Sequence, residues 1–474
     1  PAHRATLWPS ADGPQLAPTV PAPHPGRDGA EVWSPSVPPA LSPVAAGTPA
    51  PRAFTHARPA WADTRSATAV HCRFARSRVS SRPSHDRTLK RQEKAPQMTR
   101  RRTLLEAGAA LALTGAGTAW AQTAAARKFV VGQSVPLTGA SSEIGLAFAA
   151  GAKLYFDAFN SRKNNTGVQF ELRQLDDGFD AARATANARK LLTDGAEVLF
   201  GFVGTASAGA GAAVAQSEGA IFFAPFAASD ALREASQAHV FHVRPSLSDE
   251  AFKMVRHAAT LGQTRIAVVA EDDAMGRAGT AAVQAAMAEL KLPAPVAVAV
   301  VPVNSDKVDA AVASLVRAQA QAVILVSLFN ASAAVIRKAR TSGFTGSFMA
   351  FSVVGIDPLF TALGKDIGGV VVSQVVPSPR STVVPIVKEY LAAIDNSDQT
   401  PSYESLEGFI AAKALAEAVR RAGKNPDKAR LQAAMASMTD FDVGGFRINL
   451  RAGVRDSVRA IDLVTIRPDG KVVR

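Results

Sequence analysis

The 474 residues are too many for one typical domain and suit two domains with additional segments. Hydrophobic residues make up 47% of the chain, ample for buried cores. The formal charge of +13 would suit nucleic acid or an anionic membrane, but it is concentrated at the front: residues 1–97 hold 13 Lys/Arg against 6 Asp/Glu and residues 98–121 hold 3 against 1, leaving about +4 for residues 122–474. No nucleic-acid partner is therefore expected. The single cysteine, Cys72, also lies at the front. Residues 122–474 thus exclude a disulfide and a thiolate metal site, and neither a metal nor a cofactor is expected.

Residues 1–97 are rich in Pro, Ala, Arg and Ser and hold no apolar period, which reads as a disordered extension. The first methionine is Met98, so residues 1–97 are expected to stem from a start codon assigned too early. Residues 98–121 read as a signal peptide. Arg100, Arg101 and Arg102 form a charged start, and Leu104 to Thr118 a short, Gly-softened apolar stretch. Ala119-Trp120-Ala121 gives the small-x-small pattern, predicting cleavage after Ala121 and a periplasmic product. The run is too short and too weakly apolar to span a membrane. Thr99-Arg100-Arg101 before Leu104-Leu105 suits the twin-arginine route, and Sec export stays equally open. No cysteine follows the cleavage site to carry a lipid.

From Arg127 onward, apolar strand runs alternate with amphipathic helical runs. Phe129–Leu137, Phe170–Leu175, Val198–Phe202 and Ile221–Ala224 predict strands, separated by helices over Ile144–Asn160, Ala181–Leu192 and Ser207–Glu218. The pattern restarts after Arg244-Pro245-Ser246. Strands are predicted at Ile266–Ala270, Val296–Val301, Val323–Leu328, Ser347–Ala350 and Val370–Val376. Helices are predicted at Glu250–Leu261, Gly276–Leu290, Val308–Ala318 and Ala331–Ser342. Continuous apolar strands between helices imply parallel sheets covered on both faces. The fold class expected is α/β, with two doubly wound parallel-sheet lobes. The tail differs: three helical runs, Val384–Ile394, Ser405–Arg421 and Lys428–Met438, precede short strands at Arg447–Asn449 and Asp462–Ile466.

An ordered set of segments resembles the branched-chain (Leu/Ile/Val) amino-acid-binding proteins, the substrate-binding proteins of ABC importers with the type I periplasmic-binding fold. The set runs VGQSVPLTGASSEIG, LDDGFDAARATANARKLL, FGFVGTASAGA, FFAPFAASDALR, HVFHVRPSLSDE, SQVVPSP, SLEGFIAAKALAEAVRRAG and FDVGG, and it spans residues 127–466. The resemblance implies two lobes joined by a three-segment hinge. Residues 127–244 with 380–438 would form the first lobe, and residues 248–376 with 446–474 the second. The crossings would fall near Arg244–Ser248, Val376–Arg380 and Met438–Phe446. It further implies a small-molecule ligand held between the lobes, ABC permease subunits as membrane partners, and a monomer.

Open α/β sheets bind ligands beyond the carboxyl ends of their strands. Phe200 to Ser207 reads there as strand, glycine turn and helix start. Thr205 and Ser207 offer hydroxyls and the first helical amides offer free N–H groups, which suits a carboxylate or a plain helix cap. The resemblance favours ligand contact for Thr205 and Ser207, with Phe202 in the same loop. It places Ala227 and Ala228 where relatives often carry a threonine. It places Ile144, Met275 and Phe329 where relatives press large side chains on the ligand, although ordinary core packing explains those three as well. It places Ser352 where amino-acid binders often carry an acid. An ammonium buried without an anionic partner is costly. Unless Asp273 supplies the charge rather than capping a helix, the expected ligand shifts from an amino acid to an apolar or aromatic carboxylate without an amine.

Catalysis is not expected. His239, His242 and His257 sit in no metal spacing, and the chain holds no GxSxG elbow and no phosphate loop. A binding component that feeds a sensor kinase instead of a permease is the alternative. Adjacent permease and ATPase genes would favour transport.

Overall fold

The computed structural model describes residues 126–162, 167–450 and 461–474. The extension and signal peptide expected at the front lie outside the described residues.

The first sheet is built on β1 (Arg127–Val135), with β2 (Val168–Asp176) on one side and β3 (Val198–Phe200), β4 (Phe222–Phe223) and β5 (Val240–Phe241) in turn on the other. All its pairings are parallel. Helices α1 (Ser142–Asn160), α2 (Ala181–Thr193) and α3 (Thr205–Ser217) make the crossovers. The central strands are fully buried because helices cover both faces, so the sequence there runs apolar without alternation.

The second half repeats this plan. Its strands β6 (Ile266–Glu271), β7 (Ala297–Val301), β8 (Ala322–Val326), β9 (Ser347–Ala350) and β10 (Val371–Gln374) lie in the order β7-β6-β8-β9-β10, all parallel. Helices α4 (Leu247–Thr260), α5 (Ala274–Glu289), α6 (Asp309–Arg317), α7 (Phe329–Thr341) and α8 (Ile356–Leu363) accompany them. Beyond β10 the sheet turns antiparallel through β13 (Asp462–Ile466) and β14 (Val472–Val473). In both halves the first strand has its successor on one side and the next strand on the other. Each sheet therefore has a switch point, at β1/β3 and at β6/β8, where loops diverge to opposite faces and leave a crevice.

The tail helices α9 (Pro385–Ile394), α10 (Tyr403–Ala422) and α11 (Lys428–Ala436) turn back, and α10 lies along α1. Two glycines allow a close backbone approach there. A methyl group on Gly151 would fall 1.8 Å from the Ser405 carbonyl oxygen, and one on Gly408 would fall 2.1 Å from that of Phe148. The chain thus passes from the first half to the second after β5, returns after β10, and crosses again before β13. Of the two tail strands expected in the second sheet, only β13 pairs there. Residues Arg447–Ile448 (β12) pair instead with Phe441–Asp442 (β11) in a separate two-stranded ribbon, turned at Gly444 and Gly445. Among the described residues, no helix is long and apolar enough to cross a membrane.

Candidate functional site

The two switch points face one another across a small cavity. From the first half, the turn after β1 contributes Ser141, and α1 contributes Ile144. The turn after β2 contributes Phe179, and the stretch after β3 contributes Val203, Gly204 and Thr205. Phe226, Ala227 and Ala228 follow β4. The second half supplies Leu247 at the start of α4, Met275 in α5, Leu328 after β8 and Val353 after β9. Most of these residues immediately follow a strand, as the switch-point rule requires.

The lining is apolar apart from Ser141 and one end. There Gly204 (φ 95°) turns the chain into α3, and no side chain caps that helix. Thr205 is its first residue and is half-buried on the cavity wall. A helix start without a side-chain cap offers first-turn N–H donors and the positive end of the helix dipole, and Thr205 adds a hydroxyl. An anionic group fits this end, and the remaining walls suit an apolar body.

Of the residues singled out from the sequence, Ile144, Thr205, Ala227, Ala228 and Met275 line the cavity together. The other four lie outside its lining. Phe202 is wholly buried among side chains of α2 and α3, edge-on to Phe222 at 5.1 Å. Ser207 is buried in the first turn of α3. Phe329 opens α7 beside the lining residue Leu328. Ser352 is buried in a polar cluster behind the wall. The sequence reading missed Ser141, Phe179, Val203, Gly204, Phe226, Leu247, Leu328 and Val353. A strict count of the positions just past each strand next to a switch point would have found several of them.

The polar cluster joins both halves. Arg244, between β5 and α4, donates from Nη2 to Ser352 Oγ at 2.6 Å, and its Nε lies 3.5 Å from Glu407 Oε1 on α10. Its guanidinium stacks 4.2 Å from the ring centre of Phe226, a lining residue. Glu250 on α4 accepts from the Ser352 amide (2.8 Å), the Ser352 hydroxyl (3.1 Å) and the Ser373 hydroxyl (2.5 Å). Burial pushes the Glu407 carboxyl up to about 7, against the opposing effect of Arg244. The position expected to pair an ammonium therefore carries a hydroxyl already engaged by a guanidinium and a carboxylate.

Two further buried acids serve the frame. Glu271, at the end of β6, accepts from the Asn304 amide (2.7 Å) and the Leu328 amide (3.0 Å), tying together two turns at the cleft. Burial raises its carboxyl above the usual range. Asp273 caps α5 by accepting from the Gly276 amide at 2.7 Å. Asn304 also reaches across the cleft, where its Nδ2 donates to Ser141 Oγ at 3.3 Å. Among the described residues, no group of three or more His, Cys, Asp or Glu could hold a metal.

Two α/β halves closed over a cavity between their switch points define a two-lobed solute-binding protein. The comparisons name the family: residues 128–471 match the model described as periplasmic binding protein, and the chain belongs to that family. A possible leucine/isoleucine/valine-binding protein from Rhodopirellula baltica is 27% identical, with a TM-score of 0.69 over 75% of this chain and 98% of that one. A substrate-binding periplasmic protein from Ralstonia solanacearum is 30% identical, with a TM-score of 0.67 over 73% of this chain and 99% of that one. An ABC-transporter solute-binding protein from R. palustris, solved in complex with benzoate, is 18% identical, with a TM-score of 0.64 over 73% of this chain and 95% of that one. No curated protein matches the chain.

Proposed function

We propose that this protein is the extracytoplasmic solute-binding component of an ABC importer, and that it carries an apolar or aromatic carboxylate lacking a free amine. The observation that carries the reading is the polarity of the cavity: one helix start and the Thr205 hydroxyl at one end, walls elsewhere apolar but for Ser141, and no carboxylate in the lining. The ligand's carboxylate would accept from Thr205 and the first-turn amides of α3. Its body would lie against Ile144, Phe226, Met275 and Leu328. An α-ammonium would find no anionic partner. Glu250 already accepts three hydrogen bonds, and Asp273 caps α5. Desolvating an unpaired ammonium is costly. The benzoate complex shows that this fold can hold an amine-free aromatic acid in another protein.

In this reading the three chain crossings, near 244–248, 376–380 and 438–446, form the hinge. The closed clamp is the form that docks on the permease subunits. A thermal-shift screen of the purified protein against leucine, isoleucine, valine, aromatic amino acids and amine-free carboxylates tests the ligand class. At a hundredfold excess over its dissociation constant, a ligand adds about 2.7 kcal/mol. A shift with amine-free acids alone is expected. A micromolar affinity for leucine or valine would overturn the amine-free reading while leaving the carrier role intact.

A further inference from the structure

The turn Asp177-Gly178-Phe179-Asp180 links β2 to α2 and carries an unusual concentration of constraint. Asp177 is fully buried. Its Oδ1 accepts from the Phe179 amide at 2.9 Å, and its Oδ2 accepts from the Ser134 hydroxyl at 2.8 Å. Gly178 (φ 55°) and Phe179 (φ 67°) are both left-handed, a conformation that bulky side chains avoid. Asp180 then caps α2 through the Arg183 amide. Glycine or asparagine at position 179 would make the same turn without strain. The aromatic ring is therefore not needed for the turn itself, and strain that is kept in this way concentrates at functional sites.

The ring's surroundings show what it does. Phe179 lines the cavity. It also covers Gly204 so closely that a methyl group there would fall 2.5 Å from Phe179 Cε2. Gly204 precedes Thr205, so the ring stands one residue from the hydroxyl and the amides at the anionic end. A ligand held there by its carboxylate places its next carbon beside this ring.

We propose that Phe179 is a specificity-determining residue, whose ring walls the carbon adjacent to the ligand's carboxylate and selects against acids branched at that carbon. This rests on the reading of the α3 start as the anion-binding end. The ring admits a flat or unbranched carbon and collides with a substituent on it, so it excludes α-branched acids whatever their charge.

Calorimetry with two matched pairs tests it: phenylacetate against 2-phenylpropionate, and 4-methylpentanoate against 2,4-dimethylpentanoate. The wild-type protein should favour the unbranched member of each pair by about tenfold or more, the scale of one misplaced methyl group in a fitted pocket. Phe179→Asn and Phe179→Gly both accept the left-handed turn, and both should bring that ratio down to about twofold or less. A thermal melt without ligand identifies which variant is folded. An unchanged ratio in a folded variant, or an equal loss of affinity for all four acids, would make Phe179 a structural plug over Gly204 and overturn the proposal. A wild-type protein that binds none of the four acids would overturn the anionic-end reading itself, and the role of Phe179 with it.

Discussion

At the scale of single residues, Thr205 and Ser207 separate two roles that the sequence could not. Both are hydroxyls at the start of α3, but only Thr205 lines the cavity. Thr205→Val keeps the shape and removes a donor to a charged group, so affinity for a carboxylate ligand should fall about tenfold to a hundredfold. Ser207→Ala should cost less, and calorimetry on the two variants checks the order. Glu404 offers a test by pH. It is 5% exposed, and burial first, then the neighbouring charge of Asp357, lifts its carboxyl from 4.5 to about 7. The native state thus holds a proton that the unfolded chain releases between those values. Its stabilising effect is fully present below pH 4.5 and is lost as pH rises through 7. Glu404→Gln removes this dependence. The stability gap between variant and wild type should widen in the variant's favour from pH 5 to pH 8, by at most about 3 kcal/mol. Denaturant melts at both pH values would show it, and a gap independent of pH would contradict it. The Thr205 hydroxyl was legible in the sequence because it stands out just past an apolar strand end, whereas Ser141, six residues beyond β1, was not. Leu247, Leu328 and Val353 were not, because an apolar lining residue and a core residue read alike. Ser352 was misleading for another reason: its partners Arg244 and Glu250 lie 108 and 102 positions away in the chain.

At the scale of elements, the contact of α1 with α10 holds the cleft's first wall in place, since α1 starts just after the lining residue Ser141 and carries Ile144. That contact depends on Gly408 as much as on apolar packing. Gly408→Ala sets a methyl group 2.1 Å from the Phe148 carbonyl oxygen, a backbone atom with little freedom to yield. Overpacking of this kind costs about 3 kcal/mol, and the helices should separate rather than absorb it. A lowered melting temperature and weakened ligand binding in the same variant are expected. A loss of stability with intact affinity would show that α1 keeps its position by other contacts. The long helices and strands were legible because periods of 2 and 3.6 persist over many residues. The strands β11 and β14 were not, since each is two residues long and stands outside any longer apolar run. The helix α8 was hidden by its shortness and by Pro358 in its first turn, which reads as a break rather than a start.

At the scale of the whole molecule, the lobes and the order of their strands follow from alternation, but the crossings do not. That α10 returns to α1 while β13 joins β10 is a matter of contacts between distant segments, which no local pattern encodes. Closure can be tested through one such contact. Asn304 Nδ2 donates to Ser141 Oγ across the cleft, while its own amide is held by Glu271. If the proposed hinge opens, it breaks this bond, so the bond would stabilise the closed state against the open one and leave each lobe's interior alone. A net hydrogen bond is worth about 1 kcal/mol. Asn304→Ala should therefore weaken ligand binding about fivefold, and ligand should dissociate faster because the clamp reopens more readily. The melting temperature of the unliganded protein should move little. Ser141→Ala removes the same bond from the other side, so the double variant should lose no more than either single one. Additive losses in that cycle would mean that the two side chains act on the ligand separately, and that closure rests on the apolar walls alone.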